Sequence, residues 1–238
     1  GKNLRGAARE LQAIGVVRNA SMFLALAKIR GQANMIRVGE YSLNTNMRPT
    51  EVMSILNSGK SIERRVTLTE GLSIFEIAEL LATAGFGSSD QVLKVLRDPV
   101  LVKSLLGAEY DSLEGYLFPE TYSYTKYTEL KTILSEMVKK FNLVYAEIQP
   151  RSRINGLNRH QIVTLASIVE KETGLPQDRG KISSVFHNRM KKGMKLQTDP
   201  TIIYGRAVET GKLEMNIRKK DIIASTAYNT YVISGLPP

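Results

Sequence analysis

The chain has 238 residues, enough for one large domain or for two smaller ones that each bury an apolar core. A hydrophobic fraction of 42% excludes a disordered chain, and the absence of Cys excludes structural disulfides and thiolate metal sites while fitting the cytosol and the periplasm alike. The net charge of +10 favours a polyanionic partner, but the Lys and Arg residues are dispersed in short clusters with no nucleic-acid-binding signature, which argues against nucleic acid.

The N-terminal part of the sequence, residues 1–66, predicts a small α+β unit. Apolar residues at helical spacing predict helices between residues 10 and 30, with an interruption near Gly15. The most apolar run, Ala20–Ile29, is shorter than the roughly 20 residues that a bilayer-spanning helix needs, so a buried helix is predicted there. A strand, a helix and a returning strand complete the unit, at Met35–Leu43, Thr50–Asn57 and Arg64–Leu68.

The remainder, residues 67–238, predicts a mixed but helix-rich domain, so the predicted fold class of the whole chain is α+β. Ser73 and Glu76 form a capping box at the start of one helix, and Asn158 is a typical N-cap at the start of another. The helices predicted in this part are Ser73–Ala84, Ser89–Leu96, Glu129–Ile148, Arg159–Thr173 and Gln177–Lys192.

Two carboxylates stand at the end of the predicted helix Arg159–Thr173. Glu170 and Glu172 are separated by about 200° around the helix axis, so both cannot point into one cleft. A carboxyl that is partly desolvated at the end of an apolar helix has the properties of a general acid near neutral pH. One helical turn before Glu170 stand the small residues Ala166 and Ser167, which leave room for a substrate, whereas the bulkier Ile168 and Val169 stand one turn before Glu172. The alternative is that both are surface residues at a helix end.

Three further segments are dense in rings, hydroxyls and amides, namely Glu114–Tyr124, Leu196–Tyr204 and Thr226–Tyr231. Tyr rings can stack on the C–H faces of sugars while their hydroxyls form hydrogen bonds, but rings in such a segment can equally belong to the core. Asp199 stands directly before Pro200, which makes it a natural helix N-cap. In the functional interpretation it lines a polar cleft together with Gln197 and Thr198.

Neither histidine has a metal-ligand pattern around it. His160 and His187 lack a Cys or carboxylate at the spacing of a zinc site, and the sequence has no phosphate-binding loop and no Gly-x-Ser-x-Gly nucleophile motif. We therefore expect no metal and no cofactor.

Taken together, these segments resemble the endolytic murein transglycosylase family, also called the YceG-like family. The matching stretches, in the family's order and spacing, are Glu114-Gly-Tyr-Leu-Phe-Pro-Glu-Thr-Tyr122, Ala166-Ser-Ile-Val-Glu-Lys-Glu-Thr173, Val185-Phe-His-Asn-Arg189, Leu196-Gln-Thr-Asp-Pro-Thr-Ile-Ile-Tyr-Gly205, Thr226-Ala-Tyr-Asn-Thr-Tyr231 and Gly235-Leu-Pro-Pro238. Each stretch alone is a weak signal, but the set is specific and ties down about half of the chain.

The resemblance implies a reaction and a set of residues. Members of the family cleave the β-1,4 bond between N-acetylmuramic acid and N-acetylglucosamine within glycan strands, leave 1,6-anhydro ends and so limit the length of nascent strands. Glu170 would be the catalytic acid and base. The implied substrate-binding residues are Glu120, Gln197, Thr198, Asp199, Tyr204 and Asn229. The alternatives are a muramidase-type hydrolase with Asp199 or Glu120 as second carboxylate, and a non-catalytic wall-binding module.

The resemblance also implies a cellular setting. Residues 1–66 resemble a LysM-like subdomain that binds glycan, and residues 67–238 resemble the catalytic domain. A single-pass anchor in the inner membrane is expected before this chain, and a last segment that completes the catalytic domain is expected after Pro238. The catalytic domain would face the periplasm or cell wall. The expected partners are peptidoglycan glycan strands and peptidoglycan synthases.

Overall fold

A computed structural model describes residues 4–148 and 156–238, and within these ranges helices dominate, as the α+β prediction requires. The helices are α1 (Leu4–Ala13), α2 (Ala20–Ile29), α3 (Pro49–Ser58), α4 (Ile74–Thr83), α5 (Ser89–Leu96), α6 (Pro99–Leu106), α7 (Leu130–Ile148), α8 (Arg159–Glu172), α9 (Arg179–Lys191), α10 (Asp199–Thr210) and α11 (Lys219–Ile223), with a short 3-10 turn at Pro176–Asp178 before α9. Strands β1 (Arg64–Thr67) and β2 (Thr121–Tyr124) form one antiparallel sheet. No helix in the described part of the chain is both long and apolar enough to cross a membrane.

The chain divides into two compact units, and the first runs to Val66 and includes the later segment Tyr122–Glu129. Helices α1 and α2 pack together, with the chain reversing at Gly15, which has a φ of +78° that a residue with a side chain rarely adopts. Asn19 caps α2 by accepting a hydrogen bond from the Met22 amide at 3.0 Å. The core of this unit is formed by residues of α1, α2 and α3 and of the turn after α1, among them Phe23, Val52 and Met53.

The predicted strand at Met35–Leu43 is wrong, because this segment is irregular. Its backbone groups find partners other than a neighbouring strand. The Arg37 amide donates to the Leu56 carbonyl near the end of α3 at 3.2 Å, and the Glu40 carbonyl accepts from the Ile62 amide at 2.7 Å. A segment with alternating apolar residues can thus find backbone hydrogen-bond partners at a helix end and in a loop, without pairing in a sheet. The returning strand is confirmed as β1, and α3 begins at Pro49 as predicted.

The second unit contains α4 to α11, and all five helices predicted in it are present within a few residues of their predicted ends. Capping boxes at Ser73, Ser88 and Asn158 fix the starts of α4, α5 and α8. Helix α6 was not predicted, because the sequence pattern indicates Pro99 only as the end of the preceding helix. Pro99 instead opens a new helix, and Asp98 caps it by accepting from the Val100 amide at 2.9 Å.

Helix α8 packs against α9 and α10 and carries the candidate catalytic carboxylates at its C-terminal end. Its apolar side buries Leu165, Ile168 and Val169, which join Phe186 of α9 and Leu196 in one core cluster. Burial of this side fixes the rotation of α8 about its axis, and so determines which of the residues in its last turn face outward.

Candidate active site

Glu170 lies in the last turn of α8 directly after two buried residues, Ile168 and Val169, and its side chain keeps 29% of its surface exposed. The Nη2 atom of Arg179, at the start of α9, donates to Glu170 Oε1 at 3.0 Å and stands 3.0 Å from Oε2. The carboxylate is therefore anchored by one guanidinium and remains partly exposed to solvent.

A loop that precedes α4 passes close to this carboxylate. Gly71 has a φ of +77°, and a Cβ placed on it would stand 3.6 Å from Glu170 Cγ. The neighbouring Glu70 places Oε2 3.9 Å from Arg179 Nη2. Arg179 thus stands between two carboxylates, one on the loop and one on α8. Neither Glu70 nor Arg179 was predicted as a site residue, because Glu70 is remote in sequence and Arg179 is an ordinary surface residue by its pattern.

The same loop is tied to α4 by the predicted capping box. Glu76 Oε2 accepts from the Ser73 amide and from the Ser73 hydroxyl, each at 2.8 Å. Lys171 Nζ of α8 lies 3.9 Å from the same oxygen. One ion pair therefore joins the start of α4 to the end of α8, at the residue next to Glu170.

Glu114 is a second carboxyl of the second unit that sequence reasoning did not select. It keeps some solvent-accessible surface, yet protein atoms crowd its carboxyl, and Oε2 accepts from the Ile74 amide of α4 at 3.0 Å. Tyr204 donates to it from α10. Burial raises the pKa of Glu114, and the hydrogen bonds from Ile74 and Tyr204 offset part of that rise. Burial also raises the pKa of Tyr204, as does the nearby Glu114. The sequence feature that could have identified Glu114 is its position as a single carboxyl beside the apolar and aromatic residues Leu113 and Tyr116.

The Gln197-Thr198-Asp199 segment precedes and opens α10. Gln197 is the one described non-glycine residue with positive φ, at +51°, and its amide donates to the Thr230 carbonyl at 3.1 Å. Thr198 is buried, and its hydroxyl donates to Glu172 Oε1. The structure thus brings Thr198 to Glu172, the carboxylate that we did not select as catalytic.

The prediction that Asp199 is the N-cap of α10 is wrong. Asp199 is the first residue of the helix, the cap position belongs to Thr198, and no side chain supplies the capping hydrogen bond. Asp199 Oδ1 instead accepts from the Tyr231 hydroxyl at 2.8 Å, and the residue is exposed. Its carboxylate is therefore free to meet a ligand while one of its oxygens is held in place.

Asn229 and Glu120 occupy different surroundings. Asn229 is buried, and its Nδ2 donates to the Ile222 and Ala224 carbonyls at 3.0 and 2.7 Å, so it secures the end of α11. Glu120 is exposed beside β2 and forms an ion pair with Lys140 of α7 at 3.1 Å. Among the described contacts of Glu120, none is with Glu170.

The chemical capacity of the site is proton transfer by a carboxylate. Within residues 4–148 and 156–238, no three His, Asp or Glu side chains lie together in a way that could hold a metal ion. Glu170 is partly exposed and backed by Leu165, Ile168 and Val169. Asp199, Tyr204 and Gln197 belong to the same unit, but their described contacts are with Tyr231, Glu114 and Thr230, and none of these contacts is with Glu170. Such a site suits acid–base chemistry on a neutral polyhydroxyl substrate.

Fold and site together define a helix-rich α+β protein whose candidate site is built around one carboxylate at a helix end. The family model described as the YceG-like family matches residues 1–238, and the chain belongs to that family.

Named relatives support the same placement. The chain is 32% identical over 253 residues to a protein named endolytic murein transglycosylase from Bacillus subtilis, covering all of this chain and 69% of that protein. It is 30% identical over 273 residues to one of the same name from Streptococcus pneumoniae, of which it covers 48%. A crystal structure of a YceG-like protein from Listeria monocytogenes superimposes with a TM-score of 0.66 at 29% identity, covering 99% of this chain and 81% of that one.

Proposed function

We propose that this chain is a lytic transglycosylase that cuts within peptidoglycan glycan strands, with Glu170 as its catalytic residue. The observation that carries the proposal is the setting of Glu170, a half-buried carboxylate at the end of α8 that faces solvent next to a glycine loop. The relatives named endolytic murein transglycosylase and the resemblance of the sequence motifs support the same reaction.

The proposed reaction needs only one carboxyl group. Protonated Glu170 gives its proton to the glycosidic oxygen as the bond from the muramic acid anomeric carbon breaks, and N-acetylglucosamine leaves with a free 4-hydroxyl. The resulting carboxylate then takes the proton of the muramic acid 6-hydroxyl, whose oxygen bonds to the anomeric carbon. Because the nucleophile belongs to the substrate, the second carboxylate about 5–10 Å away that a hydrolase uses is not required.

The other predicted site residues divide into two proposed roles. Gln197, Asp199 and Glu120 offer exposed side-chain groups that can hold the glycan, whereas the Tyr204 hydroxyl already donates to Glu114, so we propose that Tyr204 supports that carboxyl. Thr198 and Asn229 are buried and already hydrogen-bonded, so we propose that they hold the binding segments in shape. The contact between Thr198 and Glu172 occupies the second carboxylate and supports Glu170 over Glu172 as the acid.

We extend the proposal to the whole chain and its surroundings. Residues 1–66 would form a LysM-like module that holds glycan, residues 67–238 would form the catalytic domain, and the protein would act at the outer face of the inner membrane beside peptidoglycan synthases. The dispersed net charge of +10 would favour the anionic cell wall as the surface to which the protein binds.

The test is mass spectrometry of the products from purified, uncross-linked glycan strands. A lytic transglycosylase gives anhydro ends that are lighter by one water than the ends made by a muramidase. Anhydro ends that vanish in Glu170→Gln support the proposal. Reducing ends would assign a hydrolase with a second carboxylate such as Asp199, and absence of turnover with retained binding would assign a wall-binding module.

A further inference from the structure

Arg179 lies between two carboxylates: it forms a hydrogen-bonded ion pair with Glu170 and a longer contact with Glu70. Its Nη2 lies 3.0 Å from both oxygens of Glu170 and 3.9 Å from Glu70 Oε2. Its Nε is buried, and within the described residues it has no hydrogen-bond partner. The side chain keeps 37% of its surface exposed, and that of Glu70 keeps 71%, so both have room to move. A small rotation would exchange one carboxylate partner for the other.

This arrangement conflicts with the first step of the proposed reaction. A guanidinium in contact with a carboxylate stabilises the ionised form. A general acid must instead be protonated when the bond to the leaving oxygen breaks. The other nearby cation, Lys171 on the same helix, already faces Glu76 of α4 at 3.9 Å, so Arg179 is the cation in contact with the Glu170 oxygens. The ion pair is therefore a resting arrangement that has to open before Glu170 can donate a proton.

We propose that Arg179 is a positioning residue that exchanges partners during the reaction: it pairs with Glu170 in the free protein and moves to Glu70 when a glycan occupies the site. Glu170 takes up one proton from solvent as the pair opens. It gives that proton to the glycosidic oxygen, recovers one from the 6-hydroxyl, and releases it to solvent when the product leaves and Arg179 returns. This inference rests on the proposed function of Glu170.

The exchange predicts a specific difference between two pH profiles. The profile of kcat/KM reports the free protein, in which Arg179 faces Glu170, and the profile of kcat reports the complex, in which it has moved. Loss of activity at alkaline pH should therefore begin at lower pH in kcat/KM than in kcat. The direction of this separation between the two profiles is the result that tests the exchange.

The experiment measures both profiles on soluble, uncross-linked glycan strands for the wild type and for Arg179→Met and Glu70→Gln. In Arg179→Met, which lacks the cation, the alkaline limbs of the two profiles, where activity is lost as the pH rises, should coincide at the higher pH. Without its second partner, Arg179 should stay on Glu170, so that the kcat limb moves down towards the kcat/KM limb and kcat falls. The double variant should behave like Arg179→Met alone, because without the Arg179 guanidinium Glu70 has no cation to pair with.

Two control variants make the result interpretable. Lys103→Met removes one positive charge from an exposed pair with Glu109 and should leave both profiles in place. Arg179→Lys keeps a charge and should keep the separation. The inference is overturned if Arg179→Met retains the separation, or if Glu70→Gln shifts the limbs in the same direction as Arg179→Met. If Arg179→Met fails to fold, the exposed Glu70→Gln still decides: partner exchange lowers the kcat limb alone, whereas loss of the Glu70 charge by itself would lower both limbs together and would overturn the inference. Activity in Glu170→Gln would overturn the proposed function instead.

Discussion

At the scale of single residues, Glu170 and Glu172 differ in what their carboxylates already contact. Glu170 faces Arg179 and solvent, whereas Glu172 accepts from the buried Thr198 hydroxyl. We expect Glu170→Gln to lower the rate of anhydro-product formation by at least about 100-fold, as loss of a required general acid does. Glu172→Gln is the matched control on the same helix and should cost much less. Circular dichroism should find both variants folded. An inactive Glu172→Gln with an active Glu170→Gln would reverse the assignment.

Glu114 makes stability depend on pH. Burial raises its folded-state pKa above the ordinary value of 4.5, so the folded form binds a proton that the unfolded form has already lost. Its favourable contribution is therefore complete below pH 4.5 and is lost as the pH rises through the folded pKa. Glu114→Gln keeps the shape and does not titrate. The melting temperature of the wild type minus that of Glu114→Gln should fall as the pH is raised above 4.5, and a difference that does not change with pH would contradict this.

At the scale of secondary-structure elements, two serine capping boxes can be compared, Ser73 with Glu76 at α4 and Ser88 with Gln91 at α5. Ser73 starts α4 beside the loop that contacts Glu170, and Ser88 starts α5 elsewhere in the unit. Loss of an N-cap side chain costs about 1 kcal/mol, so Ser73→Ala and Ser88→Ala should both lower the free energy of unfolding by roughly that amount or more. Only Ser73→Ala should also lower kcat, because it loosens the Gly71 loop. Equal effects on kcat would mean that the loop has no part in positioning Glu170.

The same elements explain how far the sequence could predict this fold. Helices were predictable because their signals are local: Ser73, Ser88 and Asn158 each cap a helix with a partner three residues away. The strand prediction at Met35–Leu43 failed because its backbone partners are supplied by the end of α3 and by a loop, and no local pattern specifies such partners.

The candidate site was only partly predictable for the same reason. Glu170 could be selected from its own helix, but its contact with Arg179 depends on the turn between α8 and α9. Its proximity to Gly71 joins positions about a hundred residues apart in sequence. Glu114 and Tyr204 lie in predicted segments, yet their hydrogen bond depends on how α10 packs.

At the scale of the whole molecule, the first unit is not a continuous stretch of chain, since it includes Tyr122–Glu129. We expect deletion of residues 1–66 to weaken binding to intact sacculi more than cleavage of short soluble strands, because the proposed role of this part is to hold glycan. Pelleting with sacculi and product assays on short strands would measure the two effects. Since the deletion removes most of β1, the strand that pairs with β2, its melting curve must be compared first. Equal loss on both substrates would indicate structural support instead.

Gln197 carries a cost that the rest of the chain must offset. A left-handed backbone at a residue with a side chain costs on the order of 1–3 kcal/mol, a large share of the 5–15 kcal/mol by which a typical domain is stable. With φ at +51° and its amide bound to Thr230, Gln197 is held in that conformation next to Thr198 and Asp199. The segment that we propose to bind glycan therefore also lowers the free energy of unfolding of the protein. Selection for a higher melting temperature should favour substitutions at Gln197 that relieve the left-handed backbone, and we expect such variants to turn over substrate more slowly.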